Sequence, residues 1–78
     1  MGLYFFDIQI GDAPRSVDEE GERFPDLDAN RVEAGLKLCN LGRELMQSGT
    51  SSDITIWVRD ELGDVMRARL EFRISRLN

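Results

Sequence analysis

The chain has 78 residues, with 10 basic and 15 acidic side chains, a formal net charge of -5 and no histidine. That length makes one domain, residues 1–78, and a chain so short buries only about 60% of the surface its unfolded form exposes, so joining two copies would remedy marginal stability. Net negative charge opposes non-specific binding to nucleic acid or an anionic membrane, a content of 41% hydrophobic and 32% charged residues is ordinary for a globular protein and does not point to disorder, and the missing histidine removes the commonest general base and metal ligand together.

Leu3 to Ile10 is rich in aromatic and β-branched residues, and its alternation places Tyr4, Phe6, Ile8 and Ile10 on one face, Leu3, Phe5, Asp7 and Gln9 on the other. We read it as strand one with the even-numbered face inward. Gly11, Asp12 and Pro14 make a turn. A short second strand is expected over Arg15 to Val17, closing a hairpin, with Glu22 to Phe24 as a further extended piece that plugs Phe24 into the core. Pro25 bars helical backbone at the residue before it.

Asp26 or Asp28 then caps a helix predicted from Leu27 to Met46, whose stripe is Ala34, Leu38, Leu41 and Leu45. Gly35 and Gly42 flank that stripe and are expected to let the helix approach the sheet closely, since each costs about 1 kcal/mol relative to Ala. Val32 and Leu36 form a weaker apolar edge, and Cys39, also off the stripe, is read as buried packing. Ser48 to Ser52 is a polar loop. Ile54, Ile56 and Val58 alternate with Thr55, Trp57 and Arg59 in strand three, and Asp60 to Asp64 turns the chain. In strand four, Met66, Ala68, Leu70, Phe72 and Ile74 alternate with Arg67, Arg69, Glu71 and Arg73, which means one buried and one wet face. The sum is an α+β fold of two layers, β-β-α-β-β, with one amphipathic helix on a small, mainly antiparallel sheet. Sequential pairing gives two hairpins, joined through strand one.

Chemistry is scarce. With a single cysteine no intrachain disulfide forms, and Cys39 has no imidazole to activate it. Asp26, Asp28 and Asn30 alternate as in the first half of a calcium loop, but Arg31 and Lys37 stand where that loop needs Gly and Glu, so capping is the better reading. No cofactor, metal or enzymatic activity is expected. The first residues, MGLYFFDIQIGD, carry no basic leader, and no apolar run nears the roughly 20 residues that span a bilayer, so a cytoplasmic protein off the membrane is expected.

Charge is segregated: eight acids lie between Asp7 and Asp28, four arginines between Val65 and the end. The sheet face opposite the helix should carry Leu3, Phe5, Thr55, Trp57, Arg59, Val65, Arg67, Arg69 and Arg73. Of these, Phe5, Trp57, Arg59, Arg67, Arg69 and Arg73 are the candidate partner-binding residues. Arginines beside aromatic rings on an open sheet suit either a second copy of the chain or RNA. The acidic balance favours a protein partner and a homodimer. Pairing of these arginines with neighbouring acids such as Asp7, Asp60 and Glu71 is the default for each charge taken singly.

The runs Tyr4-Phe5-Phe6-Asp7, Asp18-Glu19-Glu20-Gly21, Phe24-Pro25-Asp26-Leu27, Glu33-Ala34 and Val58 to Val65 resemble a family of short bacterial proteins without an assigned function, frequent in rhizobia and related alphaproteobacteria. The resemblance runs from Tyr4 to Phe72 and rests on turns and corners, so it implies a fold more than an activity. Members of that family usually have an Ala-rich helix, from which Gly35, Asn40 and Gly42 depart. The Phe24-Pro25-Asp26-Leu27 corner and the element order also resemble HicB-type antitoxins, which implies an RNA-binding or toxin-neutralising role as the alternative.

Overall fold

The computed structural model describes residues 2–50 and 52–78. Strands β1 (Gly2–Ile10) and β2 (Glu22–Phe24), helix α1 (Leu27–Gln47), and strands β3 (Ile54–Asp60) and β4 (Gly63–Leu70) follow in that order. All strand pairs are antiparallel and the order across the sheet is β2-β1-β3-β4. The two hairpin units are thus joined by β1 against β3, and α1 lies across one face. The expected two-layer α+β fold is the observed one.

The parity of the strands decides the core. Ile54, Ile56 and Val58 lie at the middle of the sheet and are wholly buried, with Phe6, Phe24, Ala34 and Leu38 around them. Phe24 meets the ring of Phe6 edge-on at 5.7 Å, so the short strand β2 anchors the sheet by its last residue. Asp26 Oδ1 accepts from the Ala29 amide at 2.8 Å and caps the helix start. At the other end Gly49, at φ +86, lets Thr50 donate back to the Leu45 carbonyl at 2.8 Å and itself donates to Met46. These two bonds satisfy carbonyls that the last turn leaves open. This termination is the expected polar loop Ser48 to Ser52, of which Ser51 lies outside the described residues.

Four expectations need correction. Arg15 to Val17 is no strand: one bridge, Ile8 to Ser16, is all that pairs there, and the second strand is Glu22–Phe24. The physical reason is Asp18, whose carboxylate takes the Phe6 amide at 3.1 Å that a paired strand would have taken. Strand four stops at Leu70, because Leu70 pairs with Ile54, the first residue of β3, and nothing of β3 remains to pair beyond it. Ile74, expected inside, is 72% exposed. Cys39 is exposed too, since it lies on the helix flank turned away from Ala34 and Leu38. Asn30 takes a place in the buried stripe instead, fully enclosed, with neither side-chain nitrogen nor oxygen bonded to protein.

The two helix glycines behave differently. A Cβ at Gly42 would stand 2.8 Å from Leu70 Cδ2, so this residue does allow close approach, whereas a Cβ at Gly35 would meet nothing within 4 Å. Gly35→Ala should therefore raise the unfolding free energy by about 0.5–1 kcal/mol through helix propensity alone. Gly42→Ala should show no such gain, because Leu70 must move. Urea unfolding followed by Trp57 fluorescence measures both, and equal gains would contradict the described packing.

Candidate partner-binding face

On the side of the sheet away from α1, register places the odd-numbered residues directly opposite one another: Phe5 against Arg59, Asp7 against Trp57, Gln9 against Thr55, Trp57 against Arg67, and Thr55 against Arg69. Five of the six candidate residues therefore share this face. Arg73 lies past the end of β4, paired with Glu71 at 3.6 Å. The face is organised by Asp7, one of the acids expected from the sequence to pair with these arginines. Asp7 is only 2% exposed.

A carboxylate enclosed in that way must have partners, and the fold supplies three. Asp7 Oδ2 accepts from Arg59 Nε at 2.7 Å, Oδ1 accepts from the Asp18 amide at 2.9 Å, and Arg15 Nε stands 3.2 Å away without hydrogen-bond alignment. Arg59 reaches further, donating to the Asp18 carbonyl at 2.7 Å. Asp18 Oδ1 in turn accepts from the amides of Glu20 at 3.0 Å and Gly21 at 3.2 Å. Gly21 makes this turn possible: it has φ +73, and a Cβ there would lie 2.9 Å from the Phe5 ring.

A bulge completes the arrangement. Val58 pairs with Met66 but Arg59 with Asp64, so Val65 is left over and Asp64 is turned to stand opposite Arg59. There Arg15 takes both carboxylate oxygens of Asp64. The guanidiniums also stack: Arg59 lies 4.5 Å from the Phe5 ring centre, Arg15 4.6 Å and Arg67 5.6 Å from that of Trp57. Trp57 Nε1 donates to Gln9 at 3.3 Å.

The candidate residues thus fall into two groups. Phe5 and Arg59 are engaged within the molecule, and Trp57 is half-buried between guanidiniums. Arg67, Arg69 and Arg73 are exposed along β4 and its continuation, Arg69 contacting Asp53 and Glu71 and Arg73 contacting Glu71. Sequence reading passed over Arg15, Asp18 and Asp64. Asp7, the single charge in β1, was readable as an arginine partner, whereas the bulge left no signal. Asp60, considered as an arginine partner, accepts from the Leu62 amide in its own turn.

Burial by itself would raise the pKa of Asp7, but the Arg59 hydrogen bond, the Asp18 amide and the charges of Arg59 and Arg15 outweigh it, and the carboxyl sits below its ordinary range. For Asp18 burial also pushes upward, and the amides of Phe6, Gly21 and Glu20 with the Arg59 charge bring it down.

Among the described residues no group of three or more His, Cys, Asp or Glu side chains could hold a metal ion, and no helix is long and apolar enough to cross a membrane. A shallow depression between β1, the Ser16–Glu22 segment and α1 is lined by Phe6, Ile8, Asp18 and Lys37, whose ammonium lies 5.2 Å from the Phe6 ring centre.

Residues 3–72 match the family described as Domain of unknown function (DUF6894), and the chain belongs to that family. The match spans nearly the stretch on which the sequence resemblance rests. Neither a curated protein nor a solved structure matches the chain.

Because the folded pKa values of Asp7 and Asp18 are lowered, their stabilisation is fully present above the ordinary value of 3.8 and is lost as pH falls from there through the folded values. Thermal unfolding should show Tm flat near neutrality and falling below about pH 4. Asp7→Asn should lower stability at pH 7 by about 2 kcal/mol, less than a fully enclosed pair would cost because Arg59 keeps contact with water. Its acid limb should be shallower than that of the unaltered chain. An unchanged Tm at pH 7 would remove Asp7 from the centre of this network.

Proposed function

We propose that the domain is a non-enzymatic protein-interaction module that associates with itself, through the β4 side of the sheet and its outer face. The observation that supports this is the state of β4. One flank pairs with β3, the other meets no strand among the described residues. Along that flank and its continuation Val65, Ile74 and Leu77 are exposed, the last two at 72% and 94%, together with Arg67, Arg69 and Arg73. An uncovered strand edge combined with uncovered apolar side chains is the usual substrate for β-sheet association. The small core gives a second copy something to stabilise.

The alternative is an RNA-binding or toxin-neutralising domain using Trp57 and the β4 arginines. Arg67 favours it, lying over the Trp57 ring with no carboxylate partner among the described residues. Against it stands the chain's acidity and the engagement of Arg15 and Arg59 by Asp7 and Asp64, which a phosphate would have to displace.

Sedimentation of the full chain should give a dimer at about 100 µM, dissociating on dilution. A monomer at that concentration would end the self-association reading. Titration of Trp57 fluorescence with oligouridylate should leave the emission unchanged. A quench that weakens with salt, as phosphate contacts do, would instead promote the RNA reading.

A further inference from the structure

We infer that β4 and the residues following it form a self-complementary edge, on which a second copy pairs antiparallel about a two-fold axis at Phe72. Two four-stranded sheets then become one continuous sheet. This rests on the self-association reading and specifies its surface.

Residues 71–75 keep the period of two that marks β4, with Leu70, Phe72 and Ile74 alternating with Glu71, Arg73 and Ser75, yet their own sheet ends beneath them at Ile54. Phe72 continues the inner face of β4, half-buried beside Gly42, and Ile74, two residues on, has nothing to cover it. The Phe72 amide donates to Asp53 Oδ1 at 3.1 Å, on the β3 side. Alternation along the strand turns the amides of Arg67, Arg69, Glu71 and Arg73 to the open edge, where a strand can take them.

Charge selects the register. With the axis at residue 67, 68, 69, 70, 71 or 73, at least one arginine of one copy faces an arginine of the other, and directly opposed like charges destabilise a strand pair. With the axis at Phe72 none does; axes at Met66 and Ile74 avoid it as well, but of these three only the one at Phe72 sets Glu71 against an arginine. Glu71 then faces Arg73 of the second copy, twice by symmetry, Arg69 faces Ser75, and Arg67 faces Leu77. On the helix side Leu70 faces Ile74 of the second copy, and the two Phe72 rings meet. This register therefore sets Ile74, which one chain leaves in water, against the apolar Leu70 of the other.

Ile74 is exposed in the single chain, so Ile74→Asp leaves folding intact and should weaken the dimer by at least about tenfold in sedimentation. Glu71→Arg should also weaken it, and Glu71→Arg combined with Arg73→Glu should restore it. In a Cys39→Ser background, Phe72→Cys should form an interchain disulfide under mild oxidation while Ala68→Cys should not. A dimer indifferent to Ile74→Asp, with Glu71→Arg tolerated, would overturn this edge and leave self-association standing. A monomeric unaltered chain would overturn both.

Discussion

The buried carboxylate of Asp7 is the interaction on which the outer half of this molecule depends. It sits on β1, takes Arg59 from β3 and the Asp18 amide from the connecting segment, and draws in Arg15, which holds Asp64 at the start of β4. One side chain thereby ties three strands and a loop into a single charged layer. A carboxylate enclosed to this degree is costly unless its lone pairs are filled, and here they are filled by groups from different parts of the chain. Losing one partner leaves the others with a charge in the wrong place. That makes the layer specific rather than merely adhesive.

The two faces of the sheet are stabilised by different physics. Beneath α1 the contacts are apolar and close, with three wholly buried β-branched residues on β3 and an edge-on pair of phenylalanines. Above the sheet, in place of a second layer of helices, guanidiniums stack on Phe5 and Trp57. Arginine suits this place because its planar group covers an aromatic ring while its rim still donates to carboxylates. A four-stranded sheet with one helix thus shields both faces without a third layer. The segment between β1 and β2, irregular as it is, supplies one of the covering guanidiniums, Arg15, and the Asp18 carbonyl that Arg59 binds.

What the sequence revealed and what it hid divide along the range of the forces involved. Alternation in β1, β3 and β4 and the helical stripe are local, repeated over many residues, and they placed Phe6, Ile56, Val58 and Leu38 correctly. The Asp26 cap and Phe24 as a core plug were readable for the same reason. Strand two was misplaced because the competitor of the ladder was a single carboxylate, Asp18, whose reach across the chain has no periodic trace. Strand four was drawn too long because period two records a preference for strand and not the presence of a neighbour. The bulge at Val65 could not be seen, since one extra residue shifts parity without changing composition. Asn30 ran against the pattern: polar by type, yet inside the stripe.

Among the candidate face residues, the distinction that matters is whether a charge is already satisfied. Arg59 and Arg15 have carboxylates at contact distance within the chain, so a partner gains little from them and would have to break the Asp7 network to use them. Arg67, Arg69 and Arg73 lie toward the open flank, with Glu71 the one acid between Arg67 and Arg73. The acidic residues of the N-terminal half are thus partly consumed in holding the outer face together, and the basic strand keeps an excess. A chain that is acidic as a whole thereby presents a cationic, apolar-bordered edge. The same edge carries one glutamate between two arginine-bearing positions. Spacing of that kind opposes arginine to arginine in most antiparallel self-pairings, and the register centred on Phe72 both avoids this and sets Glu71 against Arg73.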